Sequence, residues 1–255
     1  MFRPRVIPVL LLSNKGLVKS IKFKNHRYIG DPINAVKIFN DLRADELVFL
    51  DILAGRENRV ISSDLVKNIG EEANMPFSVG GGIRSLDEIR SLLKAGAERV
   101  ILSTIAVQNP LFIKQAAESF GSSTIVVCID VKKNIFGKEI VSIRNAKINS
   151  GIDPVYFAKE MEYSGAGEII IQSIDRDGTM QGYDLNLIIK VSQEVSIPVV
   201  ALGGAGSLFH LKQAYQNAYA TGVAAGSLFV YHGTRKGILI NYPDQFTIKN
   251  LFIET

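Results

Sequence analysis

Short runs of apolar, β-branched residues recur along the chain, separated by stretches of helical period. The runs fall at Arg5–Leu11, Glu46–Asp51, Pro76–Val79, Arg99–Leu102, Thr124–Asp130, Glu168–Gln172, Pro198–Ala201 and Gly222–Ala225. Within them apolar residues follow one another almost without interruption, the pattern of strands buried on both faces. Between them, Leu86, Ile89, Leu92 and Leu93 share one helical face, and Gly96 follows as a C-terminal stop. Pro154 to Tyr163 forms another such segment, ended by Ser164 and Gly165. Strands that alternate with helices imply parallel pairing through right-handed crossovers. Eight such units predict a closed (β/α)8 barrel rather than an open sheet, and a chain of 255 residues is long enough to build one.

The second half of the pattern echoes the first. Asp51 matches Asp175 (175 − 51 = 124), Gly81 matches Gly204 (204 − 81 = 123) and Thr104 matches Ser227 (227 − 104 = 123). Arg5 to Leu11 matches Ile125 to Asp130 at a slightly smaller offset. A near-constant offset across these landmarks predicts a duplicated half-barrel, with halves at about 1–120 and 121–255 of one domain.

Composition narrows the function classes. The longest apolar runs, such as Val6 to Leu12, are too short to cross a bilayer. The start of the chain leads directly into the first run without a secretory cleavage pattern. The single cysteine, Cys128, forms no internal disulfide and fits a reducing compartment, so a cytoplasmic location is expected. Cys128 itself reads as a small buried side chain rather than a nucleophile. His26, His210 and His232 show no ligand spacing, so no metal is expected, and nothing calls for a cofactor. No nucleic-acid module is present. The net charge of +4 matters less than its layout. Lys15, Lys19, Lys22, Lys24, His26 and Arg27 cluster in one segment, which reads either as a solvated loop or as a lid over an anionic ligand.

In such barrels the chemistry sits where strands end and βα loops begin. Two glycine clusters lie there: Gly80-Gly81-Gly82 and Gly203-Gly204-Ala205-Gly206. Glycine lets backbone N–H groups approach a phosphate closely, and each cluster precedes a helix start that Ser85 or Ser207 can cap. The next strand in each half ends in small residues, Ser103-Thr104 and Gly226-Ser227, which can add donors. Tight turns alone would explain one cluster; two related by duplication point to a ligand with a phosphate at each end. Asp130 ends the fifth strand and is the candidate general acid or base. Asp51, Asp175 and Asp177 also end strands. They can bind ligand hydroxyls, move protons or pair with Arg176. Asp177 and Gly178 lie in the polar stretch Ser173 to Thr179.

Together these landmarks resemble the cyclase subunit of imidazole glycerol phosphate synthase, the HisF family, from about Arg5 to Phe229. The segments Arg-Val-Ile-Pro, Asp-Glu-Leu-Val-Phe-Leu-Asp-Ile, Val-Gly-Gly-Gly-Ile, Ser-Ile-Asp-Arg-Asp-Gly-Thr and Gly-Gly-Ala-Gly fall in family order. The resemblance implies a HisH-like glutaminase as heterodimer partner on the N-terminal face. It also implies ammonia passing through the barrel to a bisphosphorylated ribosyl-aminoimidazole precursor. It assigns an ammonia gate to Arg5, Glu46, Arg99 and Glu168, the loop lysine to Lys19, and phosphate contacts to Gly82, Thr104, Gly204 and Ser227.

The family's second catalytic aspartate ends the first strand, where this chain has Leu11. Ser103 stands where asparagine is common, and the stretch from Val230 to Pro243 also departs. These departures resemble a HisF-like branch associated with surface-polysaccharide amidation, in which the barrel supplies ammonia to a separate sugar amidotransferase. The competing readings are an ordinary histidine-pathway cyclase with Asp51 or Asp177 replacing the missing acid, a sugar-phosphate isomerase on the same repeat, and a non-catalytic ligand sensor.

Overall fold

A computed structural model describes residues 3–14, 16–233 and 235–253. Eight parallel strands close on themselves. They are β1 (Arg5–Ser13), β2 (Leu47–Asp51), β3 (Phe77–Gly80), β4 (Arg99–Leu102), β5 (Ile125–Lys133), β6 (Glu168–Ser173), β7 (Val199–Leu202) and β8 (Gly222–Ala225). Each pairs with its neighbours in chain order, and β8 returns to β1 with Arg5 opposite Gly222. The major helix after each strand is α1 (Pro32–Asp41), α2 (Ser63–Glu72), α3 (Leu86–Lys94), α4 (Pro110–Phe120), α5 (Pro154–Tyr163), α6 (Leu185–Ser192), α7 (Leu208–Ala218) and α8 (Gln245–Leu251). The chain is therefore a (β/α)8 barrel.

Strand pleating splits the core in two. Val48 points into the barrel, while Leu47 and Phe49 point out toward the helices. The inner core joins Ile7, Val9, Ile101, Val126, Cys128, Ile170, Val200 and Leu202; the outer one holds the large side chains Phe39, Phe49 and Phe157. This is why the strand runs are apolar throughout. In α3, Ile89 and Leu92 are buried, with Leu86 and Leu93 packed beside them.

Several contacts recur at corresponding places in the two halves. Asp31 and Asp153 cap α1 and α5, each followed by proline at the first helical position, where its missing N–H costs nothing. Ser85 and Ser207 cap α3 and α7 by accepting from Glu88 N and His210 N. Leu47 N donates to Pro76 O at 3.0 Å, and Ile169 N to Pro198 O at 2.9 Å. Ile61 N reaches Gly81 O at 3.0 Å, and Gly182 N reaches Gly204 O at 2.8 Å.

Each half also carries an antiparallel extension. Gly16–Ile21 pairs with the end of β1, Leu11 opposite Val18, and turns back through Lys24–Gly30. Glu139–Ile143 pairs with the end of β5, Val131 opposite Val141. The early basic cluster is thus a hairpin rather than a loop. Lys22, Lys24, His26 and Arg27 are exposed on it, Lys19 is buried, and Lys15 lies outside the described residues. The hairpin's inner strand buries Leu17, Val18, Lys19 and Ser20 in succession while Lys24 to Tyr28 on the returning strand are exposed, so neither shows the alternation that would mark a strand in the sequence.

Candidate functional site

At the N-terminal end of the barrel, the inward-facing positions of β1, β4 and β6 and the residue before β2 are Arg5, Arg99, Glu168 and Glu46. Their side chains form a closed ring of alternating charge. The Arg5 guanidinium donates to both Glu46 and Glu168. Arg99 Nη1 lies 3.3 Å from Glu168 Oε1 and 3.8 Å from Glu46 Oε1. Glu46 also accepts from the buried Ser78 hydroxyl at 3.0 Å. Both glutamates are buried. Burial works against the Arg5 charge, but Glu168 and Glu46 outweigh it and hold its pKa above the ordinary arginine value. Above the ring the interior is mainly apolar, from Ile7, Val48 and Val126 up to Cys128 and Leu202, with Ser78 at its lower edge.

At the C-terminal mouth, Asp130 rises from β5 into this apolar interior. Ser103 Oγ approaches Asp130 Oδ2 at 3.3 Å and Cys128 Sγ approaches Oδ1 at 3.7 Å. Burial pushes the carboxyl up to about 7; the two donors oppose this, and the charge of Asp177 adds to it. A carboxyl poised there can give or take a proton at neutral pH.

Leu11 opens the neighbouring cleft, which Lys19, Asp177, Gly178, Gly203, Gly204, Gly226 and Ser227 also line. Lys19 Nζ donates to Val9 O. Burial lowers its pKa to about 8, with Asp177 acting to raise it. Asp177 accepts from Ser20 Oγ at 3.1 Å. Gly226 makes room for the lysine, since a Cβ there would sit 2.5 Å from Nζ. Thus the structure brings Lys19, Asp177, Gly178, Gly203, Gly204, Gly226 and Ser227 together, with Leu11 among them.

The first-half cluster is arranged differently. Gly81 and Gly82 have φ of +132° and +70°, and a Cβ on Gly82 would lie 1.9 Å from Arg59 O. Their role in turn geometry is therefore obligatory whatever they bind. Asp51 does not face the mouth. Its carboxylate pairs with Arg59 at 2.5 Å and caps Leu53 N and Ala54 N at 3.0 and 3.1 Å. Asp175 does not pair with Arg176; it accepts from Lys133 N at 2.9 Å. Thr104 Oγ1 accepts from Arg144 N at 3.3 Å. Sequence reasoning missed Ser20, which the hairpin register places beside Asp177, and Arg144, for which no local signal existed.

Among the described residues no cluster of His, Cys, Asp and Glu is arranged to hold a metal ion, and no helix is long and apolar enough to cross a membrane.

Residues 5–236 match the family model described as "Histidine biosynthesis protein". A protein of Leptospira interrogans, provisionally named as an imidazole glycerol phosphate synthase subunit HisF, is 47% identical over 253 residues, covering 99% of this chain and 100% of its own. A relative from Vibrio vulnificus, provisionally named as a HisF subunit, is 46% identical over 245 residues, covering 95% of this chain and 94% of its own. The imidazole glycerol phosphate synthase subunit HisF of Streptococcus mutans is 40% identical over 231 residues, with coverage of 91% and 92%. With the barrel, its two glycine loops and these full-length similarities in place, the chain belongs to the histidine biosynthesis protein family as a HisF-like barrel.

Proposed function

We propose that this barrel receives ammonia from a HisH-like glutaminase docked on its N-terminal face and passes it along the apolar interior to the mouth. There the ammonia is directed mainly to the amidation of a surface-polysaccharide sugar by a separate amidotransferase, with cyclisation of the ribosyl-aminoimidazole precursor reduced. The observation that carries this reading is the contrast between the two ends. The ring of Arg5, Glu46, Arg99 and Glu168 is closed and complete. At the mouth, Asp130 has no carboxylate opposite it on β1, because Leu11 occupies that position.

The ligand is a small molecule with phosphate at one or both ends. Lys19, Gly204 and Ser227 hold one phosphate, and Gly82 with Thr104 holds the other. Asp130 is the remaining acid–base group. Neutral ammonia suits an apolar interior, whereas ammonium is held back by the cost of desolvating a charge.

A second reading keeps full cyclase activity, with Asp177 as the replacement acid. Its support is specific: Asp177 lines the Lys19 cleft and lies near enough for its charge to raise the pKa of Asp130. Asp51 is the weaker replacement, since Arg59 holds its carboxylate away from the mouth. Mixing the barrel with a HisH-like glutaminase tests the partnership. A one-to-one complex that hydrolyses glutamine faster than glutaminase alone supports it, and two proteins that neither associate nor stimulate each other contradict it. Turnover of the precursor with free ammonia separates the two readings.

A further inference from the structure

The two antiparallel extensions cross the barrel mouth in a related way, each reaching from its own half to the loops of the other. The first-half hairpin docks on the loop after β6: Lys22 N donates to Asp177 O at 3.0 Å and Ser20 Oγ to Asp177 Oδ2 at 3.1 Å. Lys19, on the same hairpin, is thereby delivered into the second-half glycine cleft. The second-half hairpin docks on the segments after β2 and β4: Asn145 Nδ2 donates to Ile52 O at 2.7 Å, and Arg144 N to Thr104 Oγ1 at 3.3 Å. Asp51 and Asp175, just before the two docking loops, are landmarks of the duplication. The reach is therefore reciprocal, and each hairpin bears a basic residue at its docking point: Lys19 within the second-half cleft, and Arg144 with its backbone N–H on Thr104.

Arg144 is exposed and forms no ion pair among the described residues. Its backbone, with that of Asn145 and Ala146, runs through three successive left-handed conformations at φ of 54°, 56° and 62°. Such a run is unfavourable for residues with a Cβ and must be held by its contacts. The Asn145 bond to Ile52 is one of them. The Arg144 N–H occupies a lone pair of the Thr104 hydroxyl and leaves that hydroxyl's proton free to donate to an anion. Asp51, which ends β2 on this side, is already paired with Arg59.

We infer that Arg144 is the side chain that recognises the phosphate of the first-half site, as Lys19 serves the second. This rests on the phosphate reading of the two glycine loops. A planar guanidinium suits a phosphate monoester, which it can meet with two parallel hydrogen bonds. The site thus selects ligands that carry a terminal phosphate at the first-half end, and the selection comes from a loop of the opposite half.

The test is a titration of the full chain with inorganic phosphate, followed at the backbone amide resonances of Thr104 and Ser227. Arg144→Gln should weaken binding read at Thr104 by about tenfold, the loss typical of one charge-assisted contact, and leave binding read at Ser227 unchanged. Arg144→Lys should restore part of the loss. An unchanged titration at Thr104, or equal weakening at both amides, overturns the assignment of Arg144. If neither amide of the unmodified protein responds to phosphate, the phosphate reading itself falls, whatever Arg144 does.

Discussion

Ser103 Oγ stands 3.3 Å from Asp130 Oδ2, a contact that joins the residue following β4 to an aspartate that lies within β5 rather than at its end, since that strand continues to Lys133. It lies on a carboxyl that burial holds protonated to about pH 7. In the unfolded chain the same group ionises near 3.8. Between those values the folded state binds the extra proton, so stability falls as pH rises from about 4 to about 7 and then levels off. Asp130→Asn should therefore stabilise the protein at pH 8, by up to about 4 kcal/mol, while abolishing acid–base chemistry. The gain should shrink as pH approaches 4. Urea unfolding of both proteins across this range checks the sign.

Lys19 gives the opposite dependence. Its pKa is lowered to about 8 from 10.5, so its charge costs stability below pH 8, and that cost is relieved as pH climbs toward 10.5. Lys19→Met should raise thermal stability at pH 7, with the advantage fading by pH 10. It should also remove the cation from the second-half cleft. Phosphate affinity there should fall about tenfold in the variant, and in the unmodified protein it should weaken as pH passes 8. Calorimetric titration at pH 7 and 9 measures both effects.

The charged ring offers a separation of function. Glu46→Gln keeps an acceptor for the Ser78 hydroxyl but leaves Arg5 and Arg99 short of one countercharge. Breaking a buried pair in this way typically costs about 3–5 kcal/mol of stability, less here because Arg5 and Arg99 retain Glu168 and are partly exposed. Residual turnover driven by glutamine through the glutaminase should drop about tenfold. Turnover with free ammonia should stay within about twofold, because the mouth is untouched. Parallel assays with the two nitrogen sources decide it; equal losses in both would mark the ring as structural only.

The barrel was legible because doubly buried strands need unbroken apolar runs, and all eight of these are strands in the structure. Two runs, Arg99–Leu102 and Gly222–Ala225, have the same bounds in both. The first antiparallel extension was hidden because the basic run Lys22, Lys24, His26 and Arg27, in its turn and exposed returning strand, dominates the segment and masks the short buried stretch Leu17 to Ser20. In the structure Asp51 ends β2 while Asp177 lies in the loop after β6. Both read as strand-terminal acids in the sequence, and composition cannot separate them. Pleat parity can: Glu46, Val48 and Leu50 share the inward face, so Asp51 must point away from it. The approach of Arg144 to Thr104 had no local signal, since it depends on how a hairpin of one half settles across the other.

Wild-type turnover is the direct check on the proposal that Leu11 has turned this barrel away from cyclisation. Acid–base assistance is worth about 10²- to 10⁴-fold in rate. With ample ammonia and the ribosyl-aminoimidazole precursor, the unmodified protein should cyclise at least about 100-fold more slowly than a HisF that carries aspartate at the first strand end. Leu11→Asp should recover part of that rate, at some cost in stability, since it places a carboxylate among Val9, Leu50 and Leu202. The contradicting result is wild-type cyclisation at a rate comparable with that of the aspartate-bearing enzyme. Ammonia would then be consumed at this mouth, with Asp177 beside Lys19 supplying the second acid.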